Sequence, residues 1–392
     1  MKQPKDKRLV AVYTDIGRGH PNYLDSTLRA VEHRLDKLPK YIKITSVFEI
    51  SRGMSLFGWK TIRRIYRSGA QGGLVSSLYN KARGPRSNGS RKNKAIRVLG
   101  KSLHKYFEGY EGVVLVAHPI LAHILGQACR VYYIHGEIAS PLEFDFSRSE
   151  KIFVPLQETA DAFISGGIPG DNIVVTGLML EPELASKTDL IKAERLDRLE
   201  AGETATIGFY NSGAYPKSHV WQIIEGAEHI LKKNLGNIVI SCGSEKRQFE
   251  RFKSALSQYG PTTNAESFEK GESRVLLQHH KDRQELTLQE IDLLPDIDLA
   301  VMAAHERTNW TLALQLPTIF LKPNIGNFAP MNYEYACQHA TVFPYQEGHI
   351  TEALDKFIVA WREKDDILKK TDAEYDPGGC YQAADIIIRA ID

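Results

Sequence analysis

A short loop near the start of the chain places two titratable side chains beside two glycines. In the stretch DIGRGHPN, Asp15 and His20 are titratable, while Gly17 and Gly19 allow a tight turn after an apolar run. A proton-accepting side chain on such a loop suits general acid–base catalysis, and the N–H groups of the turn can bind an anion. We therefore take His20 as the candidate base, with Asp15 as a substitute.

Two further histidines follow apolar runs in the same half of the chain. His118 comes directly after VVLVA, and His135 after RVYYI, with Glu137 two residues later. Because the carboxyl ends of parallel strands meet at one edge of a sheet, we expect His20, His118 and His135 to converge there. Glu137 is a second substitute for the base. The histidines lack metal-ligand spacing on a common helical face, so neither a metal nor a cofactor is expected.

The second half of the chain has a loop suited to a diphosphate. In YNSGAYPKSH, small side chains leave the backbone N–H groups accessible just before a predicted helix, whose positive end favours anions. The residues that would form this nest are Ser212, Gly213 and Ala214, with Lys217 adding a charge. Ordinary helix capping is the alternative interpretation.

A second polar group follows another apolar run in this half. The stretch AHERTN contains His305, Glu306, Arg307 and Thr308 at a predicted helix start, and Asn332 further on carries an amide suited to hydroxyl groups. Together they could bind a sugar or a nucleotide. A helix cap with surface salt bridges is the alternative.

Strand-like and helical stretches alternate in two series, which predicts an α/β fold of two doubly wound parallel-sheet domains facing an interdomain cleft. The expected boundaries are an N-terminal domain over residues 1–177, a charged linker over 178–203, a C-terminal domain over 204–375, and a helix over 376–392 that packs back on the first domain. Predicted elements include helices over Tyr23–Leu35 and Ser218–Lys233 and a final strand at TVFPY.

Composition favours a cytoplasmic protein. The chain has 392 residues and a net charge of +2, without an apolar run long enough to span a bilayer or the apolar core of a signal peptide. Its four cysteines are far apart, which favours reduced thiols over a disulfide framework.

Residues 51–107 form a basic segment that contains fourteen lysines and arginines and no aspartate or glutamate. Aromatic and aliphatic residues are interleaved with these charges, which predicts binding to an anionic membrane surface. Nucleic acid is less favoured because no recognised nucleic-acid-binding motif accompanies the charge. A solvated pair of basic helices is the alternative.

The order of these loops resembles the GT-B glycosyltransferases, in particular the branch containing monogalactosyldiacylglycerol synthases, processive diacylglycerol glucosyltransferases and the N-acetylglucosaminyltransferase of the peptidoglycan lipid intermediate. The resemblance rests on DIGRGHPNYLDSTLRAV, RGMSLFGWKTIRRIYRSGAQGGLVSSLYNKA, GFYNSGAYPKSH and DLAVMAAHERTNWTLALQLPTIFLKP, and it spans nearly the whole chain. It implies a GT-B fold with two Rossmann-like domains and an enzyme peripheral to the inner face of a membrane.

The resemblance also implies roles for individual residues. The backbone of Gly17 and Gly19, together with His20, would lie beside the transferred sugar, residues 212–214 would hold the diphosphate, and Asn332 would meet the sugar hydroxyls. The chain departs from the family pattern at Trp310, where the family has a carboxylate that binds the ribose. Glu306 is then the nearest carboxylate that could replace it.

The resulting expectation is a metal-independent glycosyltransferase that moves a sugar from a nucleotide-diphosphate sugar, with UDP as the expected nucleotide, to a hydroxyl of a lipid or membrane-associated acceptor. Two alternatives remain open. One is a nucleotide-sugar epimerase of the hydrolysing type, which has the same two-domain architecture and a soluble substrate. The other is a non-catalytic binding protein on a degenerate GT-B scaffold.

Overall fold

The computed structural model describes residues 3–14, 19–69, 89–139, 144–263, 274–369 and 374–392. The chain divides into two compact units. Unit 1 comprises Met1–Ala185 and Asp376–Asp392, and unit 2 comprises Ser186–Tyr375. Each unit is a parallel sheet with helices on its faces, so the predicted pair of doubly wound α/β domains is confirmed.

Unit 1 contains a six-stranded parallel sheet with the order β2-β1-β3-β4-β5-β6. Its strands are β1 (Leu9–Tyr13), β2 (Ile42–Ser46), β3 (Val113–Val116), β4 (Arg130–Ile134), β5 (Lys151–Val154) and β6 (Ile173–Val175). Alternate residues of β1 serve two cores: Leu9 and Ala11 pack on one face of the sheet, while Val10 and Val12 pack on the other. Burial on both faces explains why the central strands β1 and β3 are nearly continuous apolar runs.

Helices cover both faces of this sheet. They are α1 (Gly19–Leu35), α2 (Val47–Ile50), α3 (Gly53–Gly69), α4 (Gly89–Tyr106), α5 (Pro119–Leu125), α6 (Gln157–Ser165) and α7 (Pro182–Ala185). The basic segment therefore includes a packed helix pair, α3 and α4. The indole N–H of Trp59, which is fully buried, and the hydroxyl of Ser55 both donate to the Leu99 carbonyl.

Unit 2 contains a five-stranded parallel sheet with the order β11-β10-β7-β8-β9. Its strands are β7 (Thr206–Tyr210), β8 (Asn237–Ser241), β9 (Val275–Gln278), β10 (Leu299–Met302) and β11 (Thr318–Phe320). Its helices are α8 (Thr188–Ala201), α9 (Lys217–Lys232), α10 (Lys246–Ala255), α11 (Arg283–Leu293), α12 (Thr308–Ala313), α13 (Ala329–His339) and α14 (Ile350–Glu363).

A buried ion pair fixes the start of two adjacent strands of unit 2. The guanidinium of Arg198 on α8 donates twice to Asp298, at 2.8 and 3.0 Å, and the same carboxylate accepts the N–H of Thr206 at 2.8 Å. Asp298 precedes β10 and Thr206 begins β7, so this contact sets the position of both strands at their amino ends.

The last helix, α15 (Gly379–Ile391), belongs to unit 1. Its small and aliphatic residues pack against α1 in the same core as Leu24 and Leu28. Arg34 and Asp385 form an exposed ion pair across this contact at 2.8 Å. The chain thus returns from unit 2 to complete the core of unit 1.

Several predicted elements differ from the observed ones. Helix α1 begins at Gly19 and not at Tyr23, because Pro21 lies in the first turn, where its missing N–H has no intrahelical partner to lose. The predicted strand TVFPY is wrong: within the described residues it contributes only a single bridge between Val342 and Thr318. Helix α9 begins one residue earlier than predicted, at Lys217.

Within the described residues, no helix combines the length and apolar character needed to cross a bilayer.

Candidate functional site

The polar side chains of unit 2 meet in a small pocket at the carboxyl edge of its sheet. β7 and β10 are parallel neighbours with Tyr210 opposite Met302, so the residues that follow the two strands leave the sheet at the same edge. The pocket is lined by Tyr210, Ser212, Ala303, His305, Glu306 and Arg307. The edge beyond the carboxyl ends of the strands is where sheets of this kind bind ligands.

Arg307 in this pocket is paired inside the unit. Its Nη2 lies 2.6 Å from Oε2 of Glu290 on α11, and the Glu290 carboxylate also accepts the Ser241 hydroxyl. The guanidinium carbon lies 5.2 Å from the ring centroid of Tyr210 and 5.1 Å from that of Trp310. Burial opposes the charge on Arg307, but the attraction of the carboxylates outweighs burial and raises its pKa. The charge of Arg307 is therefore balanced by Glu290.

Two imidazoles hold the loop that follows β11. His219 Nε2 lies 2.9 Å from the Pro323 carbonyl, and the ring of His305 bonds to the backbone of Ile325. Burial lowers the pKa of His219 to about 4, and it also lowers the pKa of His305. Both rings are thus neutral at physiological pH, and His305 presents an uncharged side chain to the pocket.

The loop between β7 and α9 is held by a left-handed turn. The N–H of Tyr215 donates to the Ser212 carbonyl, and Tyr215 has a φ of +49°, which is uncommon outside glycine. Its hydroxyl accepts the N–H groups of Ser244 and Glu245 at 3.0 and 3.3 Å. The neighbouring Gly243, with a φ of +84°, has no room for a Cβ against this hydroxyl. The Tyr215 side chain therefore locks the 212–216 turn to the loop before α10.

A buried amide at the end of β7 has unmet hydrogen bonds. Asn211 follows β7 directly and is fully buried, and neither the nitrogen nor the oxygen of its carboxamide has a hydrogen-bond partner among the described residues. An unsatisfied buried polar group costs about 1–3 kcal/mol, so one in a folded protein calls for an explanation. Asn211 lies between the pocket residues Tyr210 and Ser212 in the chain.

The other predicted residues of unit 2 have different positions. Gly213 is exposed, Ala214 is half-buried, and Lys217 is exposed as the first residue of α9. Thr308 and Asn332 are fully buried behind the pocket. The Asn332 amide donates to the Ala304 carbonyl at 3.3 Å, so it supports the loop after β10.

The histidines of unit 1 also converge at the carboxyl edge of their sheet. His20 is the second residue of α1, and His118 follows β3; their ring centroids lie 4.5 Å apart with the planes tilted by 53°. Both rings line a small pocket together with Tyr13. The Tyr13 hydroxyl donates to Asp25 Oδ1 at 2.6 Å, which adds a carboxylate near the pair.

His135 lies deeper in unit 1. It is 2% exposed, and its Nδ1 lies 3.0 Å from the Tyr133 hydroxyl. Burial, with a smaller contribution from His20, lowers the pKa of His135 to about 3. His135 is therefore neutral at physiological pH, and its low pKa makes it a poor proton acceptor.

The remaining predicted residues of unit 1 are partly described. Glu137 is buried after β4, in a loop that packs on α1: the Tyr23 ring lies against Gly136 and leaves no room for a Cβ there. Gly19 is the first residue of α1. Asp15 and Gly17 lie outside the described residues.

Sequence reasoning missed four groups that shape these sites: Tyr13, Tyr210, Asn211 and Glu290. Asn211 carried a readable signal, because a polar amide follows directly after the apolar run TIGFY. Glu290 lies four residues after the buried Leu286, one helical turn along the face that α11 buries. Its carboxylate is buried only because Arg307 pairs with it, and no local pattern shows that partner.

Two Rossmann-like units in one chain, each with polar groups at the carboxyl edge of its sheet, define the class as the GT-B fold. No protein-family model matches this chain, and no curated protein matches it either.

Solved structures match it over almost its full length. The UDP-GlcNAc 2-epimerase of Neisseria meningitidis bound to UDP-GlcNAc is 15% identical with a TM-score of 0.55, covering 97% of this chain and 98% of that one. MnaA of S. aureus in a co-structure with UDP is 12% identical with a TM-score of 0.55, covering 97% and 95%. The UDP-N-acetylglucosamine 2-epimerase of Rickettsia bellii is 11% identical with a TM-score of 0.52, covering 98% and 96%. These likenesses show the fold.

The comparison corrects the functional prediction from the sequence. The expected glycosyltransferase with a lipid acceptor is wrong, because these full-length matches are nucleotide-sugar epimerases. The loops on which the resemblance rested follow strands of the two sheets, and loops in that position serve many chemistries on one scaffold.

Proposed function

We propose that the chain is an enzyme acting on a UDP-sugar as a nucleotide-sugar epimerase of the hydrolysing type. The observation that carries the proposal is the pocket at the carboxyl ends of β7 and β10, two of whose lining residues flank the unsatisfied Asn211 in the chain. Its support is the GT-B fold shared with epimerases whose structures contain UDP-GlcNAc or UDP.

Unit 2 would bind the nucleotide diphosphate through backbone N–H groups and the charge of Lys217. The 212–216 turn and the first N–H groups of the sixteen-residue helix α9 supply donors, and Lys217 adds a positive charge. Glu290 balances the charge of Arg307, so Arg307 contributes by holding the wall of the pocket in place. Such a site needs no metal ion to bind a diphosphate.

Glu306 would bind the ribose. Its side chain is 13% exposed and lines the pocket, and a carboxylate accepts hydrogen bonds from two neighbouring hydroxyls. Trp310 in the position expected for the family carboxylate is 3% exposed and packs edge-on against Tyr210, with 5.5 Å between ring centroids. Glu306 is thus the pocket's own carboxylate, one helical turn before Trp310.

Unit 1 would supply proton transfer. Inversion at C2 of the sugar requires a base that removes the C2 proton while the C1–O bond breaks and UDP is released. Water then adds to the resulting unsaturated sugar, and a proton returns to C2 on the other face. We assign the base to His20, with Asp15 and Glu137 as substitutes. A positioned base of this kind contributes about 10²–10⁴ to the rate.

Product analysis with UDP-GlcNAc and no acceptor tests the proposal. We expect release of UDP together with the C2 epimer of the sugar. An intact nucleotide-sugar, in a preparation whose melting temperature UDP raises, would contradict epimerase activity while leaving nucleotide binding in place. Absence of both effects would favour the non-catalytic binding protein.

We also propose that the basic helix pair docks on an anionic membrane surface. Met54 and Phe57 on α3 are 69% and 64% exposed, and the exposed face continues with Lys60 and Arg64 at helical spacing. Large apolar side chains among cations, with no carboxylate between residues 51 and 107, complement a bilayer rich in anionic lipid.

Flotation with phosphatidylglycerol and phosphatidylcholine vesicles tests the docking surface. Binding should require the anionic lipid, weaken in high salt, and fall in the Met54→Ser, Phe57→Ser double variant. Ile44→Ser is the matched control, because Ile44 is 50% exposed on β2 outside the basic segment. Equal binding to both vesicles, or binding to RNA alone, would refute the membrane assignment.

A further inference from the structure

One side-chain amide of helix α9 pairs with both backbone groups of the residue that opens the loop after β11. Gln222 Nε2 donates to the Lys322 carbonyl, and Gln222 Oε1 accepts the Lys322 N–H at 3.2 Å. A carboxamide offers a donor and an acceptor side by side, so it can pair with a backbone as a neighbouring strand would. The amide also bonds to the Ser218 carbonyl and to the Tyr345 hydroxyl, which fixes its orientation.

A second side chain of α9 holds the next residue of this loop. His219, three residues before Gln222, is 1% exposed, and its Nε2 lies 2.9 Å from the Pro323 carbonyl. Because a carbonyl only accepts, the proton of the neutral ring must lie on Nε2. Helix α9, whose N-terminus would bind the diphosphate, is therefore bonded to both residues at the start of the loop.

The far end of the loop contacts a residue of the unit 2 pocket. The His305 ring bonds to the Ile325 backbone, and a Cβ on Gly326 would lie 3.7 Å from His305 Cε1, so one α-proton of this glycine points toward that carbon. Gly326 has a φ of +89°, a conformation that other residues rarely adopt. His305 itself lines the pocket. The 322–326 loop thus connects α9 to the pocket wall at His305.

We propose that Gln222 is a positioning residue of the nucleotide-sugar pocket: its amide fixes the start of the 322–326 loop, and the loop keeps His305 in place at the pocket. The inference rests on the proposed binding of a UDP-sugar in this pocket. It adds that the affinity for the nucleotide depends on an amide of α9, which acts through the backbone of the loop.

Two buried substitutions separate positioning from stability. Gln222→Met keeps the length of the side chain but removes the donor to the Lys322 carbonyl and the acceptor of its N–H. Tyr345→Phe removes a hydroxyl that bonds to the same amide, but it leaves the pair of Gln222 and Lys322 intact. Both should lower the melting temperature, because each removes a buried hydrogen bond. Gln222→Glu, which keeps the acceptor and loses the donor, replaces Gln222→Met if that variant does not fold.

Proton NMR of protein labelled at histidine Cε1 follows the loop without any ligand. In the wild-type protein we expect a nuclear Overhauser effect between the Cε1 proton of His305 and an α-proton of Gly326. It should be lost in Gln222→Met and kept in Tyr345→Phe and in Lys232→Gln, a change at an exposed position of the same helix. Retention of this effect in a folded Gln222 variant, or its loss in Tyr345→Phe as well, would overturn the proposal.

Isothermal titration calorimetry with UDP measures the consequence for binding. We expect the affinity of Gln222→Met to fall about fivefold or more, as for one weakened hydrogen bond, while Tyr345→Phe and Lys232→Gln stay within about twofold of the wild type. An equal loss of affinity in Gln222→Met and Tyr345→Phe would reduce Gln222 to a structural residue.

The two readouts keep this proposal separate from the proposed function. If the wild-type protein binds UDP and Gln222→Met binds it equally well, the positioning role fails alone. If the wild-type protein does not bind UDP but the contact of His305 with Gly326 is lost in Gln222→Met, Gln222 still positions His305, and the assignment of the pocket to a UDP-sugar fails.

Discussion

The guanidinium of Arg307 and the carboxylate of Glu290 lie 2.6 Å apart, with side-chain exposures of 6% and 0%. Tyr210 and Trp310 flank the same guanidinium, and Glu306 Oε1 lies 4.0 Å from its Nη1, so the cation lies between two rings with Glu290 as the nearer of two carboxylates. Trp310 thus forms the wall of a clamp around Arg307. The pocket of unit 2 therefore depends on an internal ion pair.

Removal of one partner of this ion pair should lower the stability of unit 2 markedly. Glu290→Gln would remove the nearer counter-charge of the buried guanidinium, and we expect a loss of about 3–5 kcal/mol in the free energy of unfolding of unit 2. Fluorine NMR of fluorotryptophan-labelled protein in urea can follow Trp310 directly. Glu285→Gln, on the exposed face of the same helix, should change stability by less than about 0.5 kcal/mol. Equal effects of the two variants would show that the pair does not stabilise the unit.

Asn211 should contribute to the affinity for UDP and not to the stability of the fold. Asn211→Leu replaces an unsatisfied buried amide with an apolar side chain of similar size, so we expect the melting temperature to stay level or rise. Affinity for UDP should fall about tenfold or more, in line with a lost hydrogen bond of about 1.4 kcal/mol. Isothermal titration calorimetry measures the UDP affinity of the wild-type protein and of Asn211→Leu. Unchanged UDP affinity would show that the amide does not contribute to binding, and unfolding of the variant would show that it serves the fold.

The stability of unit 1 should depend on pH through His135. The pKa of this histidine is about 3 when folded and near 6.5 when unfolded, so the unfolded chain binds a proton that the folded one excludes. The stabilising effect is complete above about pH 6.5 and declines as the pH falls toward 3, reaching a loss of about 2 kcal/mol near pH 5.

Trp59 is the reporter for that measurement, because it is buried in the core of unit 1. The urea midpoint of unfolding, followed by the fluorine signal of fluorotryptophan at position 59, should be lower at about pH 5. In His135→Gln, which cannot titrate, this part of the shift should disappear. A shift of the same size in the variant would place the pH dependence elsewhere.

His20→Ala should separate chemistry from binding. We expect turnover of UDP-GlcNAc to fall by about 10²–10⁴, with the melting temperature and the affinity for UDP unchanged, because the variant removes a base and leaves unit 2 intact. His33→Ala is a control on the same helix, since His33 is a partly exposed residue near its end. Normal turnover in His20→Ala would remove this histidine from the mechanism.

The sequence was sufficient for the central strands of the two sheets because these strands are buried on both faces. Runs such as VVLV and TIGFY are continuous and apolar, and each is followed by small or polar residues at the sheet edge. The same pattern located His20, His118, Ser212 and His305. TVFPY failed as a strand because composition alone cannot show whether a neighbouring strand is present to pair with it.

Contacts distant in sequence escaped prediction. Arg307 was expected to face a ligand, but a carboxylate seventeen residues away pairs with it. Tyr215 stabilises its turn through N–H groups about thirty residues further along the chain. Neither partner leaves a local pattern, because side-chain pairing across helices follows from packing and not from periodicity.

Solvent exchange at C2 of the sugar is the most direct test of the central claim. UDP-GlcNAc is incubated with the protein in deuterated water, without any acceptor, and the products are followed by proton NMR. We expect release of UDP and deuterium at C2 of a sugar with inverted configuration, both strongly reduced in His20→Ala. Retention of the original C2 proton in an unchanged nucleotide-sugar would contradict it.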